Sequence, residues 1–134
     1  MNNVKGITIL GSGRSGTSFL ANCLSDNRIF AGECTGGTKE NLAVRRLNDS
    51  YLEQHHQANT RSKLPYGILP TGEIQVDPTY KEQAIRWIDT MNHAVMESAG
   101  GSSWWNPGPK YWFFKDPRTT LLHDMWVDHC DIII

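Results

Sequence analysis

The chain has 134 residues and a formal net charge of −1 at pH 7, which suits one domain and gives no sign of a nucleic-acid partner or of an anionic membrane surface. No apolar run approaches membrane-spanning length, and the first residues lack the basic start and apolar centre of a signal peptide, so a cytoplasmic protein is predicted. The three cysteines form no CxxC pair and the histidines have no compact ligand spacing, so we predict reduced thiols and no metal site.

A buried strand, a glycine-rich turn and a helix are predicted in succession over residues 7–25. Ile7, Ile9 and Leu10 belong to an uncharged apolar run bounded by glycines, which is typical of a strand covered on both faces. The helix is predicted over residues 16–25. Its compact apolar stripe should be buried and consists of Phe19, Leu20, Cys23 and Leu24.

The turn between this strand and this helix predicts an anion-binding site. Glycines let the backbone approach a ligand closely, and a helix N-terminus offers unpaired N–H groups with roughly half a positive charge. Hydroxyl side chains and one arginine stand at the same place. The candidate residues for binding a phosphate or sulfate are Gly13, Arg14, Ser15, Gly16, Thr17 and Ser18. A turn that serves only close packing of the strand against the helix is the alternative interpretation.

The spacing of Gly11 and Gly16 matches a Walker A loop, but Thr17 stands where that motif requires lysine. A nucleotide or small-molecule kinase would use the lysine to reach the β- and γ-phosphates and would require magnesium, whereas the cation of this loop is Arg14. The sequence therefore leaves a P-loop kinase open as an alternative function. A non-catalytic anion-binding or assembly module is the other alternative.

After this helix the chain is predicted to form a short strand, a loop and a second helix. The strand covers residues 29–31, and the glycine-rich stretch from Glu33 to Lys39 should lie over the anion site. Thr38 is predicted to cap a helix that begins near Lys39. Glu40 then falls in the first turn, where a carboxylate complements the helix dipole. The residues predicted to face inward are Val44, Leu47 and Tyr51.

Residues 59–77 show no sustained period and contain several prolines and glycines, which is typical of a lid, a binding loop or a disordered segment. Asp77 and Pro78 then form the cap and the first residue of a third helix, which is predicted to stop at residues 100–101. Its buried positions should be Ala84, Ile88, Met91 and Val95. The two tryptophans at residues 104–105 either line an acceptor pocket or pack a loop onto a helix.

A second strand, turn and helix are predicted downstream. The aromatic run at residues 111–114 indicates a strand, and Pro117 opens a fourth helix with Asp116 as its cap. Lys115 stands at the carboxyl end of this strand, where ligands of open parallel sheets bind, and should face the same crevice as the glycine loop. The predicted buried positions of the fourth helix are Leu121, Leu122, Met125 and Trp126. The alternative for Lys115 and Arg118 is a solvated basic turn.

Three stretches are similar to those of bacterial sulfotransferase-like proteins. The string RSGTS at residues 14–18 resembles the 5′-phosphosulfate loop of sulfotransferases, and WFFKDPRTTLLHDMW resembles a segment of that family with Lys-Asp-Pro-Arg after a strand. The stretch GTKENLAVRRLND is similar too, and its residues in matching places are Glu40, Asn41, Asn48 and Asp49. The resemblance implies a P-loop-like, three-layer α/β fold with a mostly parallel sheet, in one sulfotransferase-like domain over residues 1–134.

The resemblance also implies a reaction, the transfer of a sulfuryl group from 3′-phosphoadenosine 5′-phosphosulfate to an acceptor hydroxyl or amine, with no metal. The loop residues would hold the 5′-phosphate of this co-substrate, and Arg14 would neutralise it. Lys115 would stabilise the charge on the moving sulfuryl group, and Glu40, or else Glu33, would take the acceptor proton. The partners implied are the donor nucleotide and an acceptor of unidentified chemistry.

The apolar run at residues 131–134 is predicted to be a buried strand. In the family, the corresponding strand is followed by an arginine and a serine that hold the 3′-phosphate, and then by more sheet, and this sequence departs from that pattern. We therefore expect a fold that is incomplete at its C-terminal end, and impaired transfer. We also expect an exposed strand that pairs with a second copy of the chain or with a partner.

Overall fold

The computed structural model describes residues 4–11, 15–56, 76–98 and 110–134. The elements in chain order are β1 (Val4–Ile9), α1 (Thr17–Asp26), α2 (Leu42–His56), α3 (Pro78–Ser98), β2 (Lys110–Lys115), a 3-10 helix at Pro117–Thr120, α4 (His123–Trp126), a second 3-10 helix at Val127–His129, and β3 (Ile132–Ile133). The predictions for Gly13, Arg14, most of the loop at 59–77, the helix stop at 100–101 and the tryptophans at 104–105 fall outside these residues. All three cysteines are free. None of the helices within the four described ranges is long and apolar enough to cross a membrane.

The sheet has β1 in its centre with β2 and β3 on either side, and both pairs are parallel. β1 and β2 run in register from Val4 opposite Lys110 to Ile9 opposite Lys115. Five of the six β1 residues are buried, as expected of a strand covered on both faces. The predicted α/β character with a parallel sheet is therefore confirmed. Because the carboxyl ends of β1 and β2 lie side by side, Lys115 lies next to the start of the glycine loop.

Helices cover both faces of this sheet. On one face, Ala21 of α1 clusters with Ile7, Ile9 and Phe113. On the other face, α2, α3 and α4 enclose a larger core. The indole of Trp87 lies at its aromatic centre and contacts three rings edge-on, with centroid distances between 5.5 and 5.8 Å. These rings are Trp112, Phe114 and Trp126. Such edge-to-face pairs contribute about 0.5–1.5 kcal/mol each beyond the burial of their area.

The buried face of α1 differs from the predicted stripe. Phe19 is 77% exposed, so its predicted burial is wrong, whereas Leu20 and Leu24 are partly buried. The buried positions are Thr17 and Ala21, one turn apart. Because residues two positions apart on a helix differ by about 200° in direction, Phe19 faces solvent when Thr17 and Ala21 face the sheet.

The second predicted strand is reduced to a single parallel bridge between Phe30 and Trp112. The amide of Phe113 donates to the carbonyl of Phe30 at 2.9 Å, so this segment borders β2 on the side away from β1. Arg28 and Gly32 flank it in the left-handed region, with φ values of 63° and 69°. These two turns end the extended backbone after a few residues.

The second helix begins later than predicted, and its cap is Asn41 rather than Thr38. Oδ1 of Asn41 accepts a hydrogen bond from the amide of Val44 at 3.1 Å, which is N-cap geometry. Lys39 is left-handed with a φ of 53°, which excludes it from a helical first turn. Glu40 therefore precedes the helix, and its predicted place in the first turn is wrong. The predicted inward residues Val44, Leu47 and Tyr51 are buried or partly buried.

α3 and the helical segments after β2 lie at the predicted positions, but the segments after β2 are less regular than predicted. α3 begins at Pro78 as predicted, and its four predicted core residues are buried. The fourth predicted helix is divided into a 3-10 helix, α4 and a second 3-10 helix. One cause is Leu122, which departs from helical geometry at φ −110° and ψ 32°. The other is Asp116, whose carboxylate binds Arg118 and Asn48 rather than capping the helix amides. Of the predicted buried positions, Leu122, Met125 and Trp126 are buried and Leu121 is partly buried.

β3 forms an edge of the sheet in the part of the chain that the structure describes. Ile132 pairs with Ile7, and the amide of Ile134 donates to the carbonyl of Thr8 at 3.0 Å. The predicted strand is therefore present. Ile133 and Ile134 are 49% and 51% exposed, so the burial that the apolar run predicts is wrong, and the expected exposure of this strand is confirmed.

Gly6 of β1 tests the packing between the central strand and the aromatic core. A Cβ at this position would lie 2.4 Å from Cζ2 of Trp112, closer than any real contact, so Gly6→Ala should lower the free energy of unfolding by about 1–3 kcal/mol. Gly36→Ala is the matched control, because its Cβ would meet no atom within 4 Å, and it should change stability by less than about 1 kcal/mol. Urea unfolding measures both. Equal stability of the two variants would contradict the close packing of Trp112 on β1.

Candidate functional site

Lys115 brings the two sequence motifs together. Its Nζ donates to Oγ of Ser18 at 3.1 Å and to the carbonyl oxygen of Thr38 at 3.0 Å. Ser18 lies 97 positions earlier, in the first turn of α1. Lys115 is only 2% exposed, so the alternative of a solvated basic turn does not hold for it. The amide of Asn41 donates to the Lys115 carbonyl at 3.3 Å, which fixes the backbone at the end of β2.

The described ends of the glycine loop, Gly11 on one side and Ser15 and Gly16 on the other, lie close together before α1. Gly16 stands at the N-cap position with a φ of 89°, which favours glycine. A Cβ on Gly11 would lie 2.5 Å from Cγ2 of Thr17 and 2.6 Å from Oγ of Ser15. The amide of Gly11 donates to Oγ1 of Thr120 at 2.8 Å, so the start of the loop is fastened to the segment that follows Lys115. Of the hydroxyl residues here, Thr17 is buried and Ser15 is exposed.

Glu40 lies beside Lys115, as a role for both in one site requires. Its Oε1 is 3.8 Å from Nζ of Lys115, and its Oε2 is 3.5 Å from Nη1 of Arg45 and 3.9 Å from Nη1 of Arg118. The side chain of Glu40 is 14% exposed and therefore reaches the surface. Glu33 is placed differently. It is exposed, and its carbonyl accepts the amide of Leu42 in the turn that leads into α2.

Arg118 is a second buried cation at this edge of the sheet. Its Nη1 donates to Oδ1 of Asp116 at 2.7 Å. Its Nε lies 2.5 Å from Oδ1 of Asp49, in an ion pair that lacks the alignment of a hydrogen bond. The Arg118 side chain is 7% exposed, so a solvated basic turn does not describe it either. Arg45 approaches Asp49 as well, from α2, with its Nε 3.8 Å from Oδ2 of Asp49.

Asn48 joins this charged cluster to the aromatic core. Its Nδ2 donates to Oδ2 of Asp116 at 2.9 Å and to Oγ1 of Thr119 at 3.2 Å. Its Oδ1 accepts from Nε1 of Trp126 at 2.8 Å. Asn48 is fully buried, and both ends of its amide are paired. The signal in the sequence was a polar residue at the helical spacing of the inward stripe, one turn after Val44.

The turn at residues 35–38 holds the Thr38 carbonyl over Lys115. The hydroxyls of Thr35 and Thr38 are 2.7 Å apart. Nδ2 of Asn22 in α1 donates to the Gly37 carbonyl at 3.0 Å, and to the Ser18 carbonyl at 2.7 Å. The predicted loop over the anion site is therefore fastened to the first turns of α1.

Burial shapes the protonation of the two cations differently. Burial lowers the pKa of the Lys115 ammonium below its ordinary value, and the nearby carboxylates of Glu40 and Asp116 offset this only in part. Burial also acts to lower the pKa of Arg118, but the combined attraction of the carboxylates, Asp116 first, outweighs it and the pKa is raised. For Asp49, burial raises the pKa against the attraction of Arg118. Arg118 therefore stays charged, and Lys115 releases its proton more readily than a solvated lysine.

The arrangement can stabilise developing negative charge and can accept a proton. The sequence-predicted residues Ser18, Lys115 and Glu40 come together, whereas Glu33 lies outside the cluster. The residues of this cluster that the sequence analysis does not name as binding or catalytic residues are Arg45, Asp116, Arg118, Asn22 and Thr35. In the described ranges, no group of three or more His, Cys, Asp or Glu side chains is placed to hold a metal ion.

Comparisons of the chain with protein-family models, with curated proteins and with solved structures gave no significant match.

Asn48 tests how strongly the site depends on the core. Asn48→Ala should leave Oδ2 of Asp116 and the Trp126 N–H without these partners, at a cost of roughly 3 kcal/mol or more in unfolding free energy. Asn27→Ala is the control, because its side chain bonds a helix carbonyl at an exposed position and should cost less than about 1 kcal/mol. Chemical denaturation compares the two. A loss no larger for Asn48→Ala than for Asn27→Ala would show that the network is dispensable.

Proposed function

We propose that the chain binds 3′-phosphoadenosine 5′-phosphosulfate and transfers its sulfuryl group to an acceptor hydroxyl or amine, on a P-loop-like fold. The observation that carries the proposal is the 3.1 Å contact between Nζ of Lys115 and Oγ of Ser18. This contact joins the two motifs that resemble bacterial sulfotransferase-like proteins. A glycine loop, a helix N-terminus and a buried lysine at the carboxyl edge of a parallel sheet support the binding of a phosphosulfate.

In this proposal the 5′-phosphate lies at the N-terminus of α1. The ten residues of α1 align their peptide dipoles toward it, and the amides after Gly16 have no partner within the first turn of the helix. The hydroxyls of Ser15 and Ser18 donate to the phosphate oxygens. Arg14 neutralises part of the phosphate charge. The other loop residues from Gly13 to Thr17 also contact the phosphate.

The transfer step needs positioning and fixed charge more than covalent chemistry. The acceptor oxygen or nitrogen attacks sulfur, the bond from sulfur to the bridging phosphate oxygen breaks, and 3′-phosphoadenosine 5′-phosphate leaves with that electron pair. Lys115 stabilises the negative charge that develops on the bridging oxygen. Glu40 takes the proton that the acceptor loses, so the step balances.

Glu40 is preferred to Glu33 as the base because of its position. Its carboxylate is 3.8 Å from the Lys115 ammonium and still reaches the surface, so one acceptor could contact both groups. Glu33 is exposed at the start of the loop, and its carbonyl accepts a hydrogen bond from the Leu42 amide. Of the alternatives, the kinase remains disfavoured by Thr17 in the lysine position of the loop.

The proposal includes a cytoplasmic location and an association through the edge strand. Three free cysteines support a reducing, cytoplasmic compartment. The half-exposed Ile133 and Ile134 on the edge strand β3 support pairing of this edge with a second copy or with a partner.

Arg14 tests the nucleotide site. Arg14→Ala should weaken binding of 3′-phosphoadenosine 5′-phosphate roughly tenfold to a hundredfold, because a charge-assisted hydrogen bond contributes about 1.5–3 kcal/mol. Arg86→Ala removes the same charge from an exposed surface pair on α3 and should leave the affinity unchanged. Isothermal titration calorimetry measures both affinities. Unchanged affinity in a folded Arg14→Ala protein would make the loop a packing turn.

Lys115 and Glu40 test the transfer step. Lys115→Met and Glu40→Gln should each lower turnover about a hundredfold or more, with a smaller change in the affinity for the nucleotide, because both residues act on the transferring group or the acceptor. Transfer of labelled sulfate gives the turnover, and calorimetry gives the affinity. Glu33→Gln should retain turnover. If Glu33→Gln were inactive and Glu40→Gln fully active, the base would be Glu33.

A further inference from the structure

The carboxylate of Glu40 is the point on which three cationic side chains converge. Nζ of Lys115 lies 3.8 Å from Oε1, and Nη1 atoms of Arg45 and Arg118 lie 3.5 and 3.9 Å from Oε2. Direct charge-assisted hydrogen bonds are shorter, about 2.7–2.9 Å. Arg45 makes one long hydrogen bond of 3.5 Å to Oε2, and Lys115 and Arg118 approach the carboxylate at ion-pair distances that exceed those of a direct hydrogen bond. The three cations therefore surround the Glu40 carboxylate but bind it loosely, which leaves room for a larger anion.

We propose that Glu40 occupies an oxyanion-binding site formed by Lys115, Arg118 and Arg45, and that a tetrahedral oxyanion displaces it. The inference rests on the proposed function for the identity of this oxyanion, which is the sulfuryl group of the donor. Displacement also frees the Glu40 carboxylate from the three cations, so that it can accept the proton of the acceptor. Glu40 is in this sense an internal anion that occupies the site until the oxyanion binds.

The charges of the cluster require this exchange. Three cations, Arg45, Lys115 and Arg118, form ion pairs with three carboxylates in the described part of the chain, those of Glu40, Asp49 and Asp116, and no net charge remains among these paired groups. Asp116 and Asp49 are committed to Arg118 at 2.7 and 2.5 Å. An added oxyanion would make the buried cluster negative, which low-dielectric surroundings oppose. Departure of Glu40 leaves one positive charge, centred on Lys115, for the incoming anion.

Glu40 can leave by a side-chain rotation alone. Its amide donates to Oγ1 of Thr35 at 2.9 Å, and its carbonyl accepts the Thr35 amide at 2.9 Å, so the backbone is held in place. Its carboxylate side chain is 14% exposed, whereas the side chains of Lys115 and Arg118 are 3% and 7% exposed. Lys115 and Arg118 therefore stay buried while the carboxylate turns toward solvent, and Arg45, whose side chain is 38% exposed, borders the site at the surface.

Inorganic sulfate is the probe that tests this site without the donor nucleotide. Calorimetric titration at constant ionic strength, with chloride as the balancing anion, should show that Glu40→Gln binds sulfate at least about tenfold more tightly than the wild type. Glu82→Gln is the matched control, since it removes the same charge from an exposed position on α3, and its affinity for sulfate should equal that of the wild type. Equal affinities for Glu40→Gln and the wild type, or an equal gain in Glu82→Gln, would overturn the proposal.

The double variant Glu40→Gln with Lys115→Met shows whether the tighter sulfate binding depends on Lys115. It should lose the tighter sulfate binding, and a gain that survives without Lys115 would contradict the site. If Glu40→Gln does not fold, as judged by circular dichroism, Glu40→Asp keeps the charge but withdraws it by one methylene, and it should bind sulfate more tightly than the wild type. Tight sulfate binding in a chain that never binds the donor nucleotide would refute the proposed function and leave the oxyanion site standing. The reverse result would refute this inference alone.

Discussion

The structure depends on the stabilisation of two buried cations, Lys115 and Arg118, by the elements around them. Removing an ion from water costs several kcal/mol even after the protein relaxes, so each cation needs fixed oxygen atoms around it. The parallel pairing of β1 and β2 fixes the backbone of Lys115 beside the glycine loop. The Ser18 hydroxyl and the Thr38 carbonyl then complete its shell, together with the Glu40 carboxylate. The positions of α1 and of the turn at 35–38 follow from this requirement.

The charged edge of the sheet and the aromatic core form one connected structure. The Trp126 N–H bonds Asn48, Asn48 bonds Asp116, and Asp116 bonds Arg118. Every link is buried, and each buried polar group that loses its partner costs about 1–3 kcal/mol. The position of Arg118 is therefore set by the packing of α2 and α4 as much as by its own short segment. A site of this kind holds its charges in fixed positions before a ligand arrives, which is what stabilisation of a transition-state charge requires.

Local signals in the sequence predicted the elements that local chemistry determines, and missed those that distant contacts determine. The apolar and aromatic runs located β1 and β2, the helical spacing of apolar residues located α1 and α3, and the Asp77–Pro78 pair located the start of α3. The sequence predicts Thr38 as the cap of α2, but Asn41 takes this place because its side chain also bonds the Ala31 carbonyl and its backbone amide bonds the Lys115 carbonyl. The strand-end rule placed Lys115 at the crevice, yet no local pattern predicts that Glu40 meets two arginines there. The exposure of Phe19 was also beyond local reasoning, since it depends on which face of α1 meets the sheet.

The most direct test of the central claim is a thermal-shift comparison of three ligands on the wild-type chain. The account predicts that the donor 3′-phosphoadenosine 5′-phosphosulfate and its desulfated product each raise Tm, with a shift that grows with concentration as RT ln(1 + [L]/Kd) requires. Magnesium-ATP at the same concentrations should raise Tm less than either. A shift with magnesium-ATP alone would identify a kinase-type site, and no shift with any of the three would contradict a nucleotide site at the junction of Lys115 and α1.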